Sequence, residues 1–256
     1  MVWNTNRTDS QQAIVSGIQS YAGGDGDSIH AYVARPEGPG PFPGIVLIHH
    51  LPGWDELYQE FARRFANHGY SVIAPDLYCR NGHGTPDEVA TKVRAEGGVA
   101  DSQVAADCEA AMNWLRAQPN SNGKVGVTGP CSGGRHAALV ASSVPGFDAV
   151  VVLWGGNIIQ RPDQLTPNQP VSPSDLVPQL TAPMLGIFGN DDMNPNPEMV
   201  NQYEALLKEN GKTYQFHRYD GAGHGIWYYQ GPSYRPQAAM DGWNKALGWF
   251  DQYLKA

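Results

Sequence analysis

The stretch Lys124–Arg135, KVGVTGPCSGGR, constrains this chain more than any other. Val125 to Thr128 is a short apolar run of the kind that forms a buried strand. Arg135-His136-Ala137-Ala138-Leu139 reads as a helix start. Between them, Gly129-Pro130-Cys131-Ser132-Gly133 follows G-x-C-x-G, the nucleophile-elbow pattern with cysteine where serine is usual. A strand-to-helix turn this tight leaves no room for side chains beside its tip, so glycines flank it at 129 and 133. Such a turn holds its tip residue in a strained conformation and projects it from the sheet. The N–H of Ser132, at a helix N-terminus, would face a developing oxyanion. A free cysteine is also a common small core hydrophobe, so the pattern alone leaves both readings open.

The rest of the chain alternates buried strands with helices. Ala13 to Tyr21 and Ser28 to Arg35 alternate apolar and polar residues around a glycine-rich turn, which predicts a half-exposed hairpin. Gly44–His49, Tyr70–Ala74, Asp148–Leu153 and Met184–Phe188 are apolar runs that predict strands covered on both faces. Thr213–Tyr219 reads as a last strand. Helical spacing predicts helices at Leu57–His68, Asp87–Ala95, Ser102–Gln118, Glu198–Glu209 and Asp241–Leu254. Trp154 to Pro183, rich in Pro, Asn and Gln, reads as an ordered loop with one short helix near Leu176. This pattern implies an α/β fold: a mostly parallel, doubly wound sheet with helices on both faces. With no repeat, long linker or low-complexity segment, residues 1–256 read as one domain, with 1–12 a loose polar arm.

Composition excludes several roles. A net charge of −8 makes nucleic acid or an anionic membrane a poor partner. No apolar run approaches the length of a membrane span and the N-terminus has no secretory pattern. Cys79, Cys108 and Cys131 have no paired spacing, which fits a reducing, cytoplasmic location. His83 and His217 lack metal-ligand spacing, so no metal is expected. Gly23, Gly24 and Gly26 match no phosphate-cradle pattern, and no cofactor is expected.

In such sheets the chemistry sits just after the strands. The last two strands are followed by Gly189-Asn190-Asp191-Asp192-Met193-Asn194-Pro195 and by Asp220-Gly221-Ala222-Gly223-His224-Gly225. Cysteine, then an aspartate, then His224 is the nucleophile–acid–base order of α/β-hydrolases. A neutral thiol is a poor nucleophile, so a neighbouring imidazole would take its proton and an aspartate would fix that imidazole. Asp191 and Asp192 both qualify by position. Trp54, Tyr78, Trp154, Trp227, Tyr228 and Tyr229 fall in the same loops and suggest an aromatic-lined pocket for an apolar or aromatic ester.

At this point the chain resembles the dienelactone hydrolases over nearly its whole length. The resemblance is carried by GPCSGG (129–134), FGNDDMNP (188–195), YDGAGHG (219–225), APDLYCR (74–80) and IVLIHHLPG (45–53). It implies an α/β-hydrolase fold without a large lid domain, a small ester or lactone as substrate, and no cofactor. It assigns Cys131 as nucleophile, Asp192 as acid and His224 as base, with the N–H groups of Leu51 and Ser132 as oxyanion donors. Two positions depart from the family. A glutamate that contacts the resting cysteine is replaced by His50. Of two arginines that clamp a substrate carboxylate, Arg80 matches the first and Tyr228 replaces the second. His50, Arg80, Trp154, Trp227 and Tyr228 are therefore the expected substrate-binding residues. Two alternatives remain: a broad carboxylesterase or thioesterase, and a non-catalytic binding protein on this scaffold. The sequence leaves monomer or dimer open.

Overall fold

The computed structural model describes residues 13–255. The polar arm expected at 1–12 lies outside the described residues. Eight strands form one sheet in the order β1-β2-β4-β3-β5-β6-β7-β8. They are β1 (Ile14–Ala22), β2 (Ser28–Pro36), β3 (Phe42–Leu47), β4 (Ser71–Pro75), β5 (Ser121–Pro130), β6 (Ala149–Leu153), β7 (Met184–Gly189) and β8 (Tyr214–Tyr219). β2 pairs antiparallel with both β1 and β4, and every pairing from β4 to β8 is parallel.

The apolar runs predict the sheet interior well. β3, β4, β6 and β7 are buried at every position, as expected for parallel strands covered on both faces. α1 (Glu56–Asn67) and α6 (Pro236–Leu254) cover one face. α2 (Pro86–Ala95), α3 (Asp101–Arg116), α4 (Ser132–Ser143) and α5 (Pro197–Glu209) cover the other. Helix ends follow local chemistry. Asp55 caps α1 by accepting from the Leu57 N–H. Thr85 and Glu88 form a reciprocal capping box at α2.

Three expectations are corrected. The first hairpin is not evenly half-exposed: β1 leaves Val15 and Ile18 open, whereas β2 is largely buried. The reason is lateral, since β2 is flanked by β1 and β4. The terminal helix begins at Pro236 rather than Asp241, with proline in the first turn, where its missing N–H costs nothing. The loop after β6 carries two short 3-10 turns, Pro162–Gln164 and Pro173–Gln179, rather than one. Among the described residues no helix is long and apolar enough to cross a membrane.

Candidate active site

β5 runs into α4 through a single residue, Cys131. Its φ of +58° is in the left-handed region that non-glycine residues avoid. The turn is pinned by hydrogen bonds from the Cys131 N–H to the Leu153 carbonyl (3.0 Å) and from the Gly134 and Arg135 N–H groups to the Cys131 carbonyl (3.0 and 3.2 Å). The flanking glycines are sterically required. A Cβ on Gly129 would sit 2.6 Å from the Gly133 carbonyl, and one on Gly133 would sit 2.5 Å from the Ile48 carbonyl oxygen. Ser132 opens α4, so its N–H is one of the orphan donors of a helix start.

The loops after β7 and β8 bring Asp192 and His224 together. His224 Nδ1 lies 2.8 Å from Asp192 Oδ2. Asp192 is buried, and its Oδ1 accepts from the Asn194 N–H at 2.9 Å. Asp191 is exposed. The positional ambiguity between the two aspartates is therefore resolved by contact with the imidazole. Burial works against a charge on His224, but the Asp192 carboxylate and the Cys131 sulfur outweigh it and push its pKa up to about 10. The imidazole Nε2 is the nitrogen left for the cleft.

Cys131, Ser132, Leu51, Asp192 and His224 all line one open cleft of about 600 Å³. Its far wall is polar. The loop after β6 folds over the α2–α3 connection through Thr166 Oγ1 to the Gly97 carbonyl (3.0 Å) and Asn168 Nδ2 to the Gly98 carbonyl (2.8 Å). This brings Gln160, Gln164 and Gln169 to the cleft, which Asn157 and Asn194 also line. Arg135, from the elbow itself, is buried and tied bidentately to Asp101 at 2.6 and 3.1 Å. Arg94 of α2 also lines the cleft and has no carboxylate partner among the described residues.

Several residues expected to bind substrate are elsewhere. Arg80 does not reach the cleft. It is held by Asp107 (2.7 and 3.2 Å) and Asp27 (2.9 Å), because α3 presents a buried carboxylate to it. Trp154 and Trp227 are buried core residues, edge-to-face at 5.5 Å, and Trp227 continues to Trp243 at 4.7 Å. Their apolar area packs behind the nucleophile rather than facing solvent. His50 is also buried, its two ring nitrogens engaged by Asp55 and Tyr228, and neither His50 nor Tyr228 lines the cleft. The pocket is thus carboxamide-lined rather than aromatic-lined. The Gln-rich composition of 160–169 was the available signal. Arg94 gave none, since an arginine on an exposed helix face is ordinary.

Known proteins resemble this chain over most of its length. The Dienelactone hydrolase family profile matches residues 29–254. An Escherichia coli protein named "Putative carboxymethylenebutenolidase" is 35% identical over 247 residues, spanning 94% of this chain and 88% of its own. A Bradyrhizobium protein named "Probable 2-oxo-3-(5-oxofuran-2-ylidene)propanoate lactonase" is 30% identical over 228 residues, covering 88% and 90%. The crystal structure of a "Putative Dienelactone Hydrolase" from Klebsiella pneumoniae superposes with a TM-score of 0.86 at 31% identity, covering 94% of this chain and 100% of that one. The sheet is that of an α/β-hydrolase, and the chain belongs to the dienelactone hydrolase family, hydrolases of ester and lactone bonds.

Proposed function

We propose that Cys131 is the nucleophile of a Cys131–His224–Asp192 triad that hydrolyses a small ester or lactone through an acyl-thioester. The observation that carries this reading is the positive-φ cysteine at the strand–helix tip, in one cleft with a histidine whose Nδ1 is held by a buried carboxylate. Cys131 Sγ attacks the carbonyl carbon with its proton held on His224 Nε2, where Asp192 and the sulfur itself favour the imidazolium. The oxyanion is received by the N–H groups of Leu51 and Ser132. The raised pKa of His224 depends partly on the sulfur beside it. Once the sulfur is bonded to the carbonyl carbon that support is gone, so His224 gives its proton to the leaving oxygen as the tetrahedral adduct collapses to the thioester, and then takes a proton from water. Water attacks the thioester, and the carboxylic acid leaves as Cys131 is restored.

Intact-mass analysis after mixing with p-nitrophenyl acetate tests the intermediate. An acetyl adduct on the Cys131 peptide, absent in Cys131→Ala, is expected. Full esterase turnover by Cys131→Ala would overturn the mechanism.

A second reading concerns breadth. The two-arginine clamp implied by the family resemblance is not assembled, because Arg80 is held by Asp107 and Tyr228 stands at the other position. This favours a broad esterase over a strict dienelactone hydrolase. Rates on a carboxylate-bearing lactone and on short neutral aryl esters, measured side by side, separate the two.

A further inference from the structure

The two N–H groups that would receive the oxyanion are held in different ways. The Ser132 N–H is fixed by α4, whose first turn it opens. Leu51 belongs to no helix or strand. Among the described residues its N–H has no hydrogen-bond acceptor within the protein, and Leu51 lines the cleft beside Cys131. A backbone donor without a partner calls for a reason.

The other end of the same peptide unit is tied twice. The His50 carbonyl accepts from His49 Nδ1 at 2.8 Å and from the Gly53 N–H at 3.0 Å, the second bond closing a turn over 50–53. The peptide between His50 and Leu51 is trans, so its C=O and N–H point in opposite directions. Because the carbonyl is held by the buried His49, the Leu51 N–H is turned away from the core. His49 itself has one tautomer. Its Nε2 lies 3.2 Å from the Leu77 N–H, which can only donate, so the ring proton sits on Nδ1. The ring packs edge-to-face on Tyr78 at 4.5 Å and on Tyr58 at 6.1 Å. The Tyr78 hydroxyl in turn donates to the Leu51 carbonyl at 3.1 Å. Burial pushes the His49 pKa down to about 4, so the ring is a neutral donor at neutral pH.

We propose that His49 is a positioning residue for the oxyanion hole: by donating its Nδ1–H to the His50 carbonyl it sets the direction of the Leu51 N–H and strengthens it as a donor. This rests on Leu51 and Ser132 receiving the oxyanion formed when Cys131 attacks. Direction matters because a donor helps only where charge develops. Strength follows from polarisation, since hydrogen bonds in a chain reinforce one another and a peptide whose carbonyl is already engaged offers a better N–H. His49 moves no proton in the reaction, because both its nitrogens are engaged in the core and it does not line the cleft.

Two rates measured on the same protein test this. Hydrolysis of p-nitrophenyl acetate passes through an oxyanion in both acylation and deacylation. Alkylation of Cys131 by iodoacetamide forms none, and it is read on the Cys131 peptide so that Cys79 and Cys108 do not contribute. His49→Phe keeps the ring against Tyr58 and Tyr78 and removes both nitrogens. Its kcat should fall about tenfold with KM little changed, less than the 10²- to 10³-fold typical of losing an oxyanion donor outright, while its alkylation rate should match wild type. His49→Asn places an amide N–H where Nδ1 stands and should recover most of kcat, although it leaves the Leu77 N–H unmatched. If His49→Phe fails to fold, His49→Gln carries the same expectation, because its amide stands at the Nε2 position, facing Leu77, and gives the His50 carbonyl no donor. Wild-type kcat in His49→Phe or His49→Gln, a kcat in His49→Asn as low as theirs, or an alkylation rate that falls in step with kcat overturns the assignment. The acetyl adduct on Cys131 of the wild-type protein is a separate readout, so failure of His49 as a positioning residue and failure of the nucleophile assignment are distinguishable.

Discussion

Among the described residues, two aspartate–histidine pairs share the same 2.8 Å contact and have different fates. Asp192 grips Nδ1 of His224 and leaves Nε2 to the cleft, with the imidazole about a third exposed. Asp55 grips Nε2 of His50, whose Nδ1 is taken by Tyr228, and the whole ring is buried. The pair alone does not make a base. A base needs its second nitrogen within reach of the proton it must move. His224 keeps its second nitrogen on the cleft because the loop after β8 carries it there, whereas His50 follows β3 into the core.

Four substitutions probe this difference. Cys131→Ala should have the largest effect, on the order of a millionfold in kcat if the triad acts as a unit. Asp192→Asn should cost about 10³- to 10⁴-fold, because the tautomer is no longer enforced. It should also bring the His224 titration, followed by imidazole NMR, down from about 10, since Asp192 is the largest influence raising it. Asp55→Asn should cost far less, about tenfold, because the base itself is untouched; a loss as large as that of Asp192→Asn would erase the distinction between the two pairs. The smallest effect is expected from Arg94→Ala. KM for a carboxylate-bearing ester should rise several-fold while a neutral aryl ester is unaffected, as befits an exposed charge.

The sign of the pH effect on stability follows from His224. Its pKa in the folded protein is raised above the ordinary histidine value, so the Asp192–His224 pair stabilises the fold fully below about pH 6.5. That contribution is lost as pH rises through about 10. Thermal unfolding across this window should show a decline in wild type that Asp192→Asn lacks. Gly133→Ala tests the elbow itself. A Cβ 2.5 Å from a fixed carbonyl oxygen cannot be relieved by a rotamer change, and a loss of about 1–3 kcal/mol is expected.

The positions of the strands along the chain and the tip cysteine were legible because both are local. An all-apolar run such as Ala149–Leu153 must be buried on both faces, and G-x-C-x-G has few backbone solutions. Asp192 and His224 were legible from chain order, although choosing between Asp191 and Asp192 from residues alone was not possible. The expected aromatic residues are absent from the cleft lining for a physical reason. Trp154 and Trp227 sit in loops, but their apolar area is better spent in the core than on an open cleft. Arg80 is drawn away from the cleft by a partner that lies on α3, Asp107, 27 residues along the chain.

What the sequence determined by itself is the fold and the strand–helix turn with Cys131 at its tip: periodicity and a glycine-flanked turn act over a few residues and need no distant partner. What only the tertiary structure decided is where charge and hydrogen bonds are spent. Arg80 is neutralised by Asp107, His50 is turned inward by Asp55 and Tyr228, and His224 alone of the two paired histidines is left with a nitrogen facing the cleft. Those outcomes depend on which groups the sheet brings within about 3 Å of one another, a distance that spacing along the chain does not encode.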